Sequence, residues 1–425
     1  MIATISFTIM ILLMLTNVPI AICTGLASVA GLYATQSVPV MVCAQRIYVG
    51  MDSFTLIAVP LFILTGRFMA LGGITDDLIN LSKVLVGHLK GGLAYINIVA
   101  SMFFAGITGS ATSDTASIGG ILIPTMIDKG YDRDFSVAVT ATSSTIGVLI
   151  PPSIPMVIYG VSAGASIAKL FLGGIIPGIL VGFALMAVTA RLARKRNYPV
   201  EEKNSFKDSV MIILKSIPAV TTIVIILGGI VSGFFTATEA AGIAALYSFL
   251  LGTLYYKELK LSDIPSIFVD VSITTGMVAI MSGTASALGW LFASQGVPAQ
   301  IAHFILSFTS NKIIILFIIN LLLLFVGTWL DLSPAVIIFT PILLPIITTL
   351  GIDPIHFGIM MILNLAIGLF TPPVGVCLFV SCSIAKISIT DTIKAFVPFF
   401  LSMILVLTLV TYIPSISLFL PSLMH

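Results

Sequence analysis

This sequence predicts an all-α polytopic membrane protein, with about eleven transmembrane helices and two re-entrant helical hairpins arranged as two inverted repeats. The first observation behind that fold class is composition: 58% of the 425 residues are hydrophobic and 8% are charged, against roughly 25% charged in a soluble domain. At about 20 residues per span the length allows about a dozen crossings and leaves little for a soluble catalytic domain. The second is an internal repeat without a gap: a shift of 221 residues lays Gly106 on Gly327, Pro124 on Pro345, Gly130 on Gly351, Asp132 on Asp353, Gly147 on Gly368 and Pro151-Pro152 on Pro372-Pro373. The third is that the repeated segments are apolar stretches interrupted by Gly and Pro at corresponding places. Unwound backbone at bilayer depth survives only where it lines a cavity, so paired breaks of this kind point to the binding site of a secondary transporter.

Residues 2 to 35 are apolar for about 50 Å if helical, too long for one upright span, and Asn17-Val18-Pro19 divides them into two short helices. The first of these carries no basic leader and no small-residue cleavage site, so it reads as an uncleaved span. A span over 53–72 is followed by 74–90, where Asp76, Asp77, Lys83, His88 and Lys90 punctuate Leu, Ile and Val in the manner of an interfacial arm. Residues 93–128 form two half-length helices around the polar tip "TGSATSD", Thr108 to Asp114. A span over 135–165 is broken at "GVLIPPS", Gly147 to Ser153, and another over 168–190 ends in "RLARKR". Seven of the 19 Lys and Arg lie between Arg191 and Lys215; short loops rich in these residues stay in the cytoplasm, which fixes the orientation.

The second half repeats the plan. Spans over 211–231 and 236–256 lead into the basic "YYKELK", a further span covers 272–292, and a hairpin over 312–350 has its tip at "GTWLDLSPA", Gly327 to Ala335. A broken span over 354–385 carries its break at "GLFTPPVG", Gly368 to Gly375, before a last span over 390–420. On this reading the chain crosses five times between equivalent elements, and an odd number inverts the second repeat. The expected division is therefore a first repeat over 1–198, a cytoplasmic linker over 199–210 and a second repeat over 211–425, with both termini non-cytoplasmic.

Each break ends one half-helix and begins another. C-terminal ends present free carbonyls that suit a hard cation such as Na⁺, and N-terminal ends present N–H groups that suit a carboxylate. Hydroxyls gather at the same places: Thr108, Ser110, Thr112, Ser113 and Thr115 in the first tip, Thr140 to Thr145 before the first break, and Thr371 in the second. Thr108, Ser113, Ser143 and Ser144 are candidate substrate contacts, although Ser and Thr also let helices pack closely in lipid. Asp114 and Asp331 are carboxylates at hairpin tips, where charge is costly enough to mark function; each fits a cation ligand, a substrate-site group or a helix cap. Asn364, aligned with Ser143, faces the cavity or binds a neighbouring helix. Glu239 reads as a helix-start carboxylate or as a functional one. Cys23, Cys43, Cys377 and Cys382 show no CxxC spacing and read as small buried hydrophobes. No basic face or zinc pattern suggests nucleic acid.

The stretches "AQRIYVGMDSFTLIAVPLFILTG", "GGLAYINIVASMFFAGITGSATSDTASIGGILIPTM", "GYDRDFSVAVTATSSTIGVLIPPSIPMVIYG", "GFFTATEAAGIAALY" and "GLFTPPVGVCLF" resemble, in order and over essentially the whole chain, the large membrane subunit of the tripartite ATP-independent periplasmic (TRAP) transporters. The resemblance implies Na⁺-coupled uptake of a carboxylate, a sialic acid or a C4-dicarboxylate, across the bacterial inner membrane. It also implies a soluble periplasmic binding protein that delivers the substrate, a separate small subunit of four spans, and an elevator motion of the hairpins and broken helices. Carried over by position, one Na⁺ site lies around Gly106, Ser110, Gly147, Ile150 and Pro152 and a second around Gly327, Gly368, Thr371 and Val374, so that two or more Na⁺ ions are expected. A single-component Na⁺/anion symporter without a binding protein is the alternative that residue patterns alone leave open. An intramembrane protease built on Asp114 and Asp331 is disfavoured because the two do not superimpose in the repeat: Ser110 aligns with Asp331.

Overall fold

The computed structural model describes residues 2–16, 18–35, 38–201, 205–297, 300 and 311–424. Among them the chain is entirely helical apart from turns and one isolated bridge between Lys90 and Val200. The described residues form nineteen α-helices: α1 (Ile2–Leu15), α2 (Ile20–Thr35), α3 (Met41–Met51), α4 (Ala58–Leu71), α5 (Ile74–Val86), α6 (Gly92–Thr108), α7 (Ala111–Asp128), α8 (Arg133–Ser143), α9 (Ile154–Ala163), α10 (Ile167–Lys195), α11 (Phe206–Val231), α12 (Ala237–Leu250), α13 (Ile264–Ser294), α14 (Lys312–Gly327), α15 (Leu332–Thr349), α16 (Pro354–Gly368), α17 (Val376–Ala385), α18 (Ile389–Tyr412) and α19 (Ser415–Ser422).

Seven helical segments among the described residues are long and apolar enough to cross a membrane: 54–71, 167–195, 206–231, 237–255, 261–294, 332–349 and 389–412. The chain is thus a multi-pass membrane protein. Fewer segments qualify than the eleven spans expected, because α1, α2, α6, α14, α16 and the halves around the breaks are each shorter than 18 residues. Three elements differ from the sequence reading. A helix over Met41–Met51 was not foreseen, since Gln45 and Arg46 interrupt its apolar pattern. The span expected over 272–292 starts earlier, at Ile264. The last span divides at Ile413 and Pro414 into α18 and α19, as a proline with no N–H to donate would dictate. Of the break expected between α1 and α2, Asn17 lies outside the described residues, as do Glu202 to Asn204 of the linker.

Two helices form the centre. Every residue of α16 from Ile355 to Gly368 is buried, as its all-round apolar sequence requires. In α8 everything from Phe135 to Ser143 is buried although the helix is rich in hydroxyls. The conflict is resolved within the helix: Ser136, Thr140 and Thr142 donate to the carbonyls of Asp132, Ser136 and Ala138 at 3.0, 2.8 and 2.7 Å, so each hydroxyl is satisfied without water. Around this pair the elements exchange partners. Helix α9, which follows the first break, packs on α15 of the second hairpin, and α17, which follows the second break, packs on α7 of the first. Helices α10, α18 and α19 flank this body, while α1 to α5 and α11 to α13 form the rest, α13 lying against α2, α3, α4 and α15.

The end of the molecule that carries the basic cluster is tied by charge. Arg196, just past α10, grips Asp134 with both terminal nitrogens at 2.7 and 2.9 Å and reaches Asp132 at 2.9 Å. Tyr198 donates to the same Asp132 at 2.7 Å. That hydroxyl, with the guanidinium behind it, holds the Asp132 carboxyl below the ordinary carboxylate range. Glu239 proves to be a cap: Thr236 and Glu239 form a capping box at the start of α12. The four cysteines are free and buried.

Candidate functional site

Helix α6 ends at Thr108, Gly109 turns left-handed (φ 60°), and α7 starts behind an extended Ser110. The turn sits directly on the first break. Ile154 N–H donates to the Gly109 carbonyl at 3.4 Å, and a Cβ at Gly109 would lie 2.8 Å from the Pro152 carbonyl oxygen, so both its φ and its contact call for glycine. The second unit is built alike. Val374 N–H donates to the Thr328 carbonyl at 3.3 Å, and Gly327 faces Gly368 so closely that a Cβ on Gly368 would run into the Gly327 carbonyl group. The Pro151–Pro152 and Pro372–Pro373 bonds are both cis.

In each unit two helix C-termini therefore converge, α6 with the 3₁₀ turn Ser144–Val148 and α14 with α16. Free carbonyls at such ends carry partial negative charge. The first unit adds a carboxyl group. Asp114 is completely buried on the first turn of α7, where its Oδ1 accepts from the Thr108 hydroxyl. Its Oδ2 has no partner and points at Gly147, where a Cβ would strike it. Asp114 is not the cap of α7, a position that Ser110 holds. An unpaired carboxylate oxygen among carbonyl ends is costly unless a cation completes it, so the residues present fit a Na⁺ ion. The second unit holds no carboxylate of this kind; Thr371 donates to the Ile367 carbonyl at 2.6 Å.

Between the two units lies a cavity of about 520 Å³. It is lined by the first turns of α7, α9 and α15, by both tips, by the start of α2 and by Thr274 to Met281 of α13. Four helix N-termini, counting that of α2, thus open onto one space, which makes it receptive to an anion. Ser110, Thr112, Thr274 and Ser333 supply hydroxyls, and Asp331 is the one charged side chain among the described lining residues. Asp331 holds the N-cap position of α15 without a side-chain capping bond.

The sequence candidates distribute unevenly over this arrangement. Ser110 and Asp331 line the cavity; Thr108 and Asp114 bond each other beneath the first tip. Gly106 lies near the end of α6 and Pro152 is buried in the break, while Ser113 is half-buried on α7. Ile150 packs against Gly178 of α10, where any Cβ would meet it. Val374 is exposed and Thr371 half-buried beside the second tip. Ser143 and Asn364 face neighbouring helices, while Ser144 bonds within its own helical segment. Ser143 donates to Asn97 Oδ1 at 3.1 Å and Ser144 to the Thr140 carbonyl at 2.8 Å. Asn364 donates to Asn320 Oδ1 at 2.7 Å, and Asn320 in turn to Thr411 at 3.1 Å. Ser143 and Asn364, equivalent in the repeat, each tie the first half of a broken helix to the first arm of its hairpin. The α13 residues were missed because an unbroken apolar span gives no sign of which turn meets the cavity.

A helical membrane body with paired interruptions around a central cavity defines a transporter permease. The chain belongs to the family described as "Tripartite ATP-independent periplasmic transporter, DctM component", whose model matches residues 7–416; it is the large permease component of a TRAP transporter and not an enzyme. It is 39% identical to the sialic acid TRAP transporter large permease protein SiaM of Vibrio cholerae, over 97% of this chain and 96% of that one. It is 36% identical to the C4-dicarboxylate TRAP transporter large permease protein DctM of Rhodobacter capsulatus, over 99% of each. With the isethionate TRAP transporter permease protein DctMQ of Oleidesulfovibrio alaskensis it shares 43% identity over 96% of this chain, which spans 64% of that protein. The fold is also that of the YdaH transporter of Alcanivorax borkumensis, with a TM-score of 0.65 at 13% identity over 90% of this chain and 88% of that one.

Proposed function

We propose that this chain performs Na⁺-coupled uptake of a carboxylate across the bacterial inner membrane, working with a periplasmic binding protein and a separate small subunit of four helices. The observation that carries the reading is the juxtaposition at the tips. Carbonyl ends and the unpaired Asp114 oxygen suit Na⁺, and the adjoining cavity is bordered by four helix N-termini that suit a carboxylate. The sialic acid, C4-dicarboxylate and isethionate named for the relatives are all small organic oxyanions, the class this cavity fits. The fused name and greater length of the DctMQ relative accord with a small subunit as a component of such a system.

In this reading Na⁺ occupies two or more sites. The first involves Gly106, Ser110, Gly147, Ile150 and Pro152 with Asp114 as a side-chain ligand; the second involves Gly327, Gly368, Thr371 and Val374. The substrate takes the cavity at Ser110, Asp331 and the hydroxyls around them. The repeats over 1–198 and 211–425 are inverted, and their hairpins and broken helices travel as one elevator body along α13.

The test is uptake of radiolabelled sialic acid, succinate and isethionate into proteoliposomes holding this chain and its small subunit, under an inward Na⁺ gradient, with and without the binding protein. Accumulation that needs both Na⁺ and the binding protein is expected. Accumulation without the binding protein would replace this reading by the single-component symporter, and flux that only equilibrates would replace it by a channel.

A further inference from the structure

A second cavity of about 490 Å³ lies between α3, α9, α13 and α15, bordered by Ser53, Ser162, Ser282, Ser286 and Trp290. It touches α13 at 282–293, whereas the cavity at the tips touches the same helix at 274–281; their centres stand about 15 Å apart along that helix. Helices α9 and α15 pass from one to the other, so the two spaces are successive stations on one interface. The second station is the one farther from the basic Lys257–Lys260 end, which puts it towards the outer face.

This outer cavity is the more polar of the two. Four serines border it, and one of them, Ser282, is 7% exposed with a hydroxyl that has no partner. Arg46 stands beside this cavity and not in its wall: one turn of α3 before the lining residues Val49 and Gly50, its guanidinium lies on the ring of the lining Trp290, 4.9 Å from the centroid. Arg46 is half-buried and has no acidic partner among the described residues. Of the residues outside that set only Glu202, in the linker, carries a carboxylate side chain. An uncompensated cation partly withdrawn from water is costly and raises the local concentration of anions around it. Trp290 holds the planar group in place by a cation–π contact.

We propose that this cavity is a second, Na⁺-independent anion site on the outer side of the permease, where Arg46 and the serine hydroxyls receive the substrate's carboxylate or sulfonate before it reaches the hairpin tips. The site rests on the transport reading above but uses neither the tips nor the breaks. It gives α3 a role in capture, which neither its length nor its position in the repeat suggests. A lipid phosphate at the outer surface presents the same oxyanion chemistry, and the experiment separates the two sources.

The chain has two tryptophans, Trp290 and Trp329, so the full chain labelled with 5-fluorotryptophan gives two ¹⁹F resonances, assigned by Trp290→Phe. In phosphatidylcholine nanodiscs without Na⁺, succinate, sialic acid or isethionate should shift the Trp290 resonance saturably. Arg46→Gln should abolish that shift, Arg46→Lys should weaken it, and Asp331→Asn at the tip should leave it. In proteoliposomes Arg46→Gln should raise the KM for uptake about tenfold and flatten its dependence on ionic strength, with kcat little changed. Uptake by the wild type with no Trp290 shift would overturn the outer site and leave the transport reading standing; absence of uptake would strike the transport reading itself. A shift that needs Na⁺ and vanishes with Asp331→Asn would show that Trp290 senses the tip cavity alone. A shift produced only by phosphatidylglycerol in the nanodisc would make Arg46 a lipid anchor. Either result refutes the proposal.

Discussion

Asp114→Asn tests the proposal of a cation at the first break. The amide keeps the shape of the side chain and can still accept from Thr108 through its oxygen, but where Oδ2 stood unpaired before Gly147 it places an NH₂ group. The lost contact is that of a buried ionised oxygen with a cation, worth about 1.5 to 3 kcal/mol by analogy with hydrogen bonds to charged groups. That corresponds to roughly a 10- to 150-fold weaker Na⁺ affinity. Two assays read it. The Na⁺ concentration for half-maximal uptake, measured at saturating substrate, should rise by that factor. Thermal unfolding should respond in the opposite sense without ligand: a buried carboxyl with an unpaired oxygen has been replaced by a neutral amide, so the Na⁺-free variant should be at least as stable as the wild type. Its stabilisation by Na⁺ should shrink, from about 2.7 kcal/mol at 100 times the wild-type Kd to below 1 kcal/mol if affinity falls about 30-fold. Wild-type Na⁺ dependence in both assays would refute the assignment of Asp114 to a cation, whatever happened to the maximal rate.

Further outcomes follow from named contacts. Gly368→Ala forces a Cβ against the backbone of Gly327, which cannot swing aside as a side chain would, so Na⁺-dependent uptake should fall more than tenfold; Gly120→Ala, with nothing within 4 Å of its Cβ, should transport like the wild type. Asn364→Leu strands Asn320 in the core and should cost about 1 to 3 kcal/mol in denaturant unfolding, with Asn320→Leu added to it recovering part of the loss. The Asp132 carboxyl is held below its ordinary range by Tyr198 and Arg196, so its contribution is present above the unfolded-state pKa of about 4 and is lost as pH falls through the lower folded value. The stability difference between wild type and Asp132→Asn should therefore be constant from pH 7 to about 5 and should close only below about 4.

What the sequence makes legible is the set of interruptions. Gly147, Gly327, Gly368 and the two Pro–Pro pairs have no role in a continuous helix, so the ends of α6, α14 and α16 could be read within a residue or two. Side-chain direction was not legible. Ser110, Ser143 and Asn364 are all polar and lie within four residues of an interruption, yet of the three only Ser110 reaches the cavity. The other two are turned by helix rotation onto Asn97 and Asn320, whose amides have no mark in a one-dimensional pattern. Contacts across the chain were hidden for the same reason. Thr274 lies 162 positions from Thr112 in sequence, and only the packing of α13 against the tips brings both to one space.

The exchange of half-helices between repeats bears on how the protein is made. Helix α9 is synthesised about 170 residues before α15, and α7 about 250 before α17, which at about 5 to 20 residues per second is a wait of roughly ten seconds to a minute for each. During that time the first hairpin and its broken helix have entered the bilayer with their principal neighbours still unmade. Neither half can complete its own core, and cutting the chain in the linker should give two fragments that become resistant to protease only when both are present in one membrane. The packing around the two breaks is accordingly a late feature of biogenesis: it is completed only once the second half has closed on the first.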